Sequence, residues 1–206
     1  MEKGLLITFE GAEGSGKSTQ ILSAYEFLKQ TKKNVFILRE PGGVKISEKI
    51  RDILLDVASE EMGHECETFL YMAARAQLVE EVIKPALNEG KIILCDRFLD
   101  STIVYQGYGN GIDIPLIKKM GALATKGVVP DLTLVFDVDA EEGLSRIKRA
   151  KDRIEKRSLD YHNRVRQGYL ELAKAEPQRV KVISAHQTKE EIQTIVRRYI
   201  EELLDK

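Results

Sequence analysis

Residues 5–18 read Leu-Leu-Ile-Thr-Phe-Glu-Gly-Ala-Glu-Gly-Ser-Gly-Lys-Ser, a short apolar run that breaks into a glycine-rich turn. Gly11–Ser18 fits the spacing G-x-x-x-x-G-K-[ST]. Ile21, Leu22, Tyr25 and Leu28 follow at helical spacing, so the segment reads as strand, turn, helix. Glycines let the main chain wrap closely enough for successive N–H groups to point at phosphate oxygens. The turn residues Gly11, Ala12, Glu13, Gly14, Ser15, Gly16, Lys17, Ser18 and Thr19 are therefore expected to hold a nucleoside triphosphate, ATP in the first instance. In such a turn the Lys17 ammonium reaches the β/γ-phosphates and the Ser18 hydroxyl holds Mg²⁺.

Four more apolar runs follow the first, Leu5–Phe9: Val35–Leu38, Ile92–Cys95, Leu132–Phe136 and Val180–Ile183. They are nearly continuous rather than alternating, as strands buried on both faces of a parallel sheet should be. Helical patterns separate them. Ile192, Ile195, Val196, Tyr199, Ile200, Leu203 and Leu204 form an apolar stripe near the C-terminus. Asp139 and Glu142 have the spacing of a capping box for a helix through Leu144 and Ile147. End-to-end alternation of strand and helix predicts a doubly wound α/β domain. No repeat, low-complexity tract or Pro/Gly linker divides the 206 residues, so one domain, 1–206, is expected.

Charge narrows the partners. Lys plus Arg is 32 and Asp plus Glu is 33, whereas a nucleic-acid-binding surface usually carries a basic surplus. Cys66 and Cys95 suggest neither a disulfide framework nor a zinc site, and each is expected as a buried thiol. No apolar run is long enough for a membrane span, and Met1–Gly4 leads into too short a run for a leader. These features predict a cytoplasmic protein without nucleic-acid or membrane partners.

A triphosphate-binding turn does not name a reaction. A GTPase switch needs Asp-x-x-Gly, and no Asp here has Gly three residues later. Thr125-Lys126-Gly127 begins like a guanine-reading motif, but Val128 replaces its carboxylate. The run Ile92–Cys95 ends in Asp96, placed to orient Mg²⁺ or its waters, with Arg97 beside it. Asp137 ends the fourth run in the same way and is the competing acid.

Gly11–Thr19, Arg39-Glu40-Pro41-Gly42-Gly43, Ala74-Arg75-Ala76-Gln77, Asp96-Arg97-Phe98 and Asp100 through Gly107 resemble, in order and spacing, the thymidylate kinases. Pro130-Asp131-Leu132-Thr133-Leu134 continues the likeness, and Asp152-Arg153-Ile154-Glu155 is similar to the lid of their bacterial type. The resemblance covers essentially the whole chain. It implies a P-loop NTPase fold with a five-stranded parallel sheet flanked by helices, a small lid, and a homodimer. It also implies transfer of the γ-phosphoryl group of ATP to dTMP. Another nucleoside monophosphate or deoxynucleoside kinase, or a nucleotide switch without a small acceptor, is the alternative.

Tyr71 and Arg75 stand four residues apart on one helix, so a ring and a guanidinium share a face. A base can stack on the ring while Arg75 donates to a carbonyl oxygen. A donor there accepts thymine O4 and rejects the cytosine amino group. The family usually has Phe where Tyr71 stands. By resemblance, Thr102 and Gln106 lie around the base, and Tyr105 sits against the deoxyribose. Likewise Arg97, Arg39 and Arg51 surround the acceptor phosphate. Glu13 faces the sugar 3′-hydroxyl by the same likeness, its plain alternative being a solvent-facing carboxylate.

Between Arg146 and Arg157 seven basic residues meet two acids, a local surplus suited to a lid, about 146–157, that closes over phosphates. In one branch of the family an arginine within the glycine turn supports the transfer; none stands between Gly11 and Gly16, so the resemblance implies that the stabilising cation comes from the lid. Arg153 is the first candidate and Arg149 the second.

Overall fold

A computed structural model describes residues 4–31 and 33–205. The start of the segment read for a leader, Met1–Lys3, lies outside them. Five parallel strands are present: β1 (Leu5–Glu10), β2 (Val35–Arg39), β3 (Ile92–Asp96), β4 (Leu132–Asp137) and β5 (Val180–Ser184). They pair in the order β2-β3-β1-β4-β5, and the first and central strand, β1, feeds the glycine turn. Each strand continues one residue past its expected apolar run, ending at Glu10, Arg39, Asp96, Asp137 and Ser184. Those polar ends collect at the carboxyl edge, where open parallel sheets bind ligands.

Both faces of the sheet are covered, which accounts for the unbroken apolar runs. On one face, α1 (Lys17–Gln30) and α9 (Lys189–Leu204) pack Ile21, Ala24, Leu28, Ile192, Val196 and Ile200 on Ile7, Phe9, Leu134 and Phe136. On the other, α3 (His64–Leu78) runs through a π-helical turn, Val79–Ile83, into α4 (Lys84–Asn88). These elements bury Leu78, Val79, Ile83 and Ala86 against Leu6 and Ile93. α2 (Lys45–Leu55) flanks α3. The short α5 (Leu99–Thr102) continues as a π-helical segment, Ile103–Gly109, followed by α6 (Ile114–Ala124). After β4 come α7 (Ala140–Ser145) and α8 (Leu159–Ala175). The intervening 146–158 segment, containing the expected lid, forms no helix.

Three local expectations are corrected. Asp139 precedes α7, but its carboxylate makes no cap and instead pairs with Arg166, and the helix stops at Ser145, short of Ile147. The capping box belongs to α9, where Thr188 Oγ1 accepts from Glu191 N and Glu191 Oε2 accepts from Thr188 N. Cys95 is buried as expected, but Cys66 is exposed on α3. Among the described residues no helix is long and apolar enough to cross a membrane.

Candidate active site

A cleft of about 670 Å³ opens at the carboxyl edge of the sheet, between the glycine turn, the segment after β2, the middle of α3 and the 146–155 part of the lid. Glu13 through Thr19 line it. Gly11 and Ala12 do not line it; their carbonyls accept from Lys17 Nζ, each at 3.1 Å. Gly11 has φ +137°, and a β-carbon there would meet Phe136 O at 2.5 Å, so no other residue fits. Gly16 starts α1 in a left-handed conformation, φ +87°, with no side-chain cap and no acid in the first turn. The helix therefore presents its positive end and free N–H groups to whatever occupies the turn. Gly14 and Gly143 of α7 approach so closely that a β-carbon on Gly14 would lie 2.0 Å from Gly143 O.

Charge is concentrated here. Burial and the neighbouring Arg97 lower Lys17 to about 8 against the pull of Glu13, Asp96 and Glu10. Burial disfavours the Glu13 anion, yet Arg97, Lys17 and the Tyr105 hydroxyl outweigh it and bring Glu13 to about 2. Glu13 Oε1 accepts from Arg97 Nη2 at 2.8 Å and from Tyr105 Oη at 2.7 Å, so it is not a solvated surface acid. Arg97 takes a left-handed φ of +69°, an uncommon conformation for a side-chain-bearing residue. Its Nη1 donates to Gly11 O, Ser101 Oγ and Tyr169 Oη at 3.1–3.2 Å. The guanidinium lies 4.9 Å from the Tyr105 ring centroid.

At the other end, Arg75 is 2% exposed. It donates to Glu40 Oε2 (2.7 Å), Thr102 Oγ1 (3.0 Å) and Phe98 O (3.0 Å). Burial pushes Glu40 up to about 7 despite Arg75. Tyr71 and Gln106 line the same end of the cleft, and no described residue accepts the Tyr71 hydroxyl. Arg39 Nη1 and Arg51 Nη1 both donate to Pro41 O at 2.9 Å, while Arg39 Nη2 grips both oxygens of Glu48. The Glu40–Pro41 bond is cis.

The two competing acids separate cleanly. Asp137 is held by Arg166 through both oxygens, at 2.7 and 3.0 Å. Asp96 lines the cleft with Ser18, and no ion pair engages its carboxylate among the described residues. A carboxylate and a hydroxyl are hard oxygen donors of the kind Mg²⁺ takes alongside phosphate oxygens and water.

In the lid the two arginines part company. Arg149 borders the cleft, its guanidinium bound to both oxygens of Glu155 at 2.6 and 2.9 Å and its side chain 64% exposed. Arg153, the first candidate, does not border the cleft. Its guanidinium is buried against Glu67 at 2.6 Å, and its Nε donates to Leu54 O at 2.9 Å. Of the two, only Arg149 borders the cleft.

Sequence reasoning missed the carboxylates that hold these side chains. Glu10 is buried and accepts from Phe98 N, Ser101 Oγ and Tyr169 Oη; Glu40 braces Arg75, and Glu67 braces Arg153. The available signal was that Glu10 adjoins the motif glycine Gly11 and Glu40 the motif arginine Arg39; Glu67 carried none.

A thymidylate kinase family model matches residues 9–196. The thymidylate kinase of Maridesulfovibrio salexigens is 48% identical over 197 residues, covering 91% of each chain. That of Symbiobacterium thermophilum is 45% identical over 201 residues, covering 97% of this chain and 94% of the relative. The crystal structure of thymidylate kinase from Ehrlichia chaffeensis superposes with a TM-score of 0.79 at 35% identity, covering 96% of this chain and 99% of that one. A glycine cradle and an arginine-framed pocket in one cleft, together with likeness along almost the whole chain, lead to one conclusion: the chain belongs to the thymidylate kinase family.

Proposed function

We propose that the protein transfers the γ-phosphoryl group of ATP to dTMP, giving ADP and dTDP. The observation that carries this reading is the continuity of the cleft: the glycine turn and the Tyr71/Arg75/Gln106 pocket are its two ends, with Arg97 between them. Two nucleotides bound there would meet phosphate to phosphate.

ATP lies with its phosphates in the turn Gly11–Thr19, at the N-terminus of α1. Their charge favours the Lys17 ammonium, which in turn holds the β/γ-phosphates. dTMP lies with its base on Tyr71 and its O4 toward Arg75, beside Thr102 and Gln106. Its sugar lies against Tyr105 and Glu13, and its phosphate between Arg97, Arg39 and Arg51. Arginine suits that phosphate because its planar fork binds two oxygens at once. Ser18 and Asp96 are the residues that would hold Mg²⁺, which when bound offsets the charge of the phosphate oxygens.

Phosphoryl transfer passes through a loose transition state, so positioning and electrostatics carry the catalysis. The acceptor is an ionised phosphate and needs no strong base. Arg149 is the lid cation that reaches the transferring group, exchanging Glu155 for phosphate oxygens as the lid closes and excludes water. Arg153 anchors the lid instead.

The protein acts as a cytoplasmic homodimer of single-domain chains, without nucleic-acid or membrane partners. Exposed Phe69 on α3 and exposed Leu116 and Leu123 on the adjoining α6 support the dimer. The balanced net charge of −1 supports a small-molecule rather than a polynucleotide partner. ADP release measured with ATP and Mg²⁺ tests the activity: dTMP should stimulate it strongly, dCMP and thymidine weakly. Turnover indifferent to dTMP rejects the proposal.

A further inference from the structure

Glu67 lies on α3, one turn before Tyr71, and is fully buried. Its two oxygens serve different groups. Oε1 accepts from Gln106 Nε2 at 2.9 Å and from Asn110 Nδ2 at 3.0 Å. Oε2 meets the Arg153 and Arg157 guanidiniums, each at 2.6 Å. Asn110 closes the ring, its Oδ1 accepting from Arg157 Nη1. One carboxylate thus joins α3, the Ile103–Gly109 segment that lines the cleft, and the C-terminal half of the lid.

An ionised carboxylate can only accept hydrogen bonds. Gln106 must therefore turn its NH₂ end to Glu67, and its carbonyl is the end left for a ligand in the cleft. We propose that Glu67 is a positioning residue that fixes the hydrogen-bonding sense of Gln106 while rooting the lid through Arg153 and Arg157, so that base recognition and lid docking share one carboxylate. This rests on the proposed function. Thymine offers an acceptor at O4 and a donor at N3–H; cytosine offers the reverse, an amino group and a bare N3. An Arg75 donor beside a Gln106 acceptor matches the first pattern and opposes the second at both atoms. Without Glu67 the Gln106 amide is free to flip, and its NH₂ then suits cytosine N3.

Values of kcat/KM for dTMP and dCMP in the wild type and Glu67→Gln test the first half. The dTMP:dCMP ratio should fall by about tenfold or more, because a glutamine at 67 can donate as well as accept. An unchanged ratio in the folded variant overturns the proposal and leaves Glu67 a structural counter-ion. A wild type that does not use dTMP rejects the function itself, and this inference with it. Gln106→Met tests the second half, and tests the proposal alone should Glu67→Gln fail to fold. Saturating dTMP should slow tryptic cleavage at Lys148, Lys151 and Lys156 in the wild-type lid. In Gln106→Met the protection by saturating dTMP, measured against that variant's own rate without dTMP, should disappear. Protection that survives this substitution overturns the coupling.

Discussion

Arg75 uses four of its five N–H donors inside the protein, on Glu40, Thr102, Phe98 and the Met72 sulfur. The one remaining N–H, on Nη2, is held in direction by those bonds, which is what a group that reads a carbonyl oxygen requires. Arg75→Ala should raise KM for dTMP by about 30-fold, the worth of a charged hydrogen bond, and relax the choice of base, as steady-state kinetics with dTMP and dCMP would measure. Glu13 makes a second prediction. Its folded value, about 2, lies below the ordinary 4.5 because Arg97, Lys17 and Tyr105 overcome its burial. Its stabilising contribution is complete above about pH 4.5 and disappears as pH falls toward 2. Urea midpoints of wild type and Glu13→Gln should therefore differ most above pH 4.5 and converge in acid. Tyr71 and Arg75 were legible in the sequence because four residues on a helix fix a shared face. Glu10, Glu40 and Glu67 were not, because their partners lie far along the chain (Tyr169, Arg75, Arg153) and only the fold brings them near.

Elements carry a different lesson. The apolar runs marked every strand, yet each strand ends one residue later on a polar side chain, an end read from the sequence at Asp96 and Asp137 but not at Glu10, Arg39 and Ser184. Those ends supply Arg39 and Asp96 to the cleft. In the lid, charge density located the segment but not the division of labour within it, since Arg149 and Arg153 look alike until burial separates them. Arg149→Ala should lower kcat by about 10³-fold with little change in KM for dTMP. Arg153→Met should instead lower the thermal midpoint by about 5–10 °C, because it breaks a buried ion pair from one side. Single-turnover kinetics and calorimetry on the two variants check this, and the opposite pattern would return the catalytic role to Arg153.

For the whole molecule, the exposed Phe69, Leu116 and Leu123 lie on helices that pack against each other, and Leu123 is 82% exposed. Large apolar side chains left open on neighbouring elements call for a partner surface. Phe69→Glu combined with Leu123→Glu should turn a dimer into a monomer by light scattering while leaving the fold intact by circular dichroism. The sheet and the glycine turn were readable from sequence, since glycine spacing and strand-helix alternation are local; most residues of the acceptor pocket were expected only through the family resemblance. The order of strands and the side of the lid each arginine occupies are properties of the assembled chain.

Gly14 and Gly143 meet with no side chain between them, main chain against main chain. A methyl group on either would drive the cradle away from α7, so the two behave as one stiff plate. Movement of the helix-free 146–158 segment would leave that plate in place.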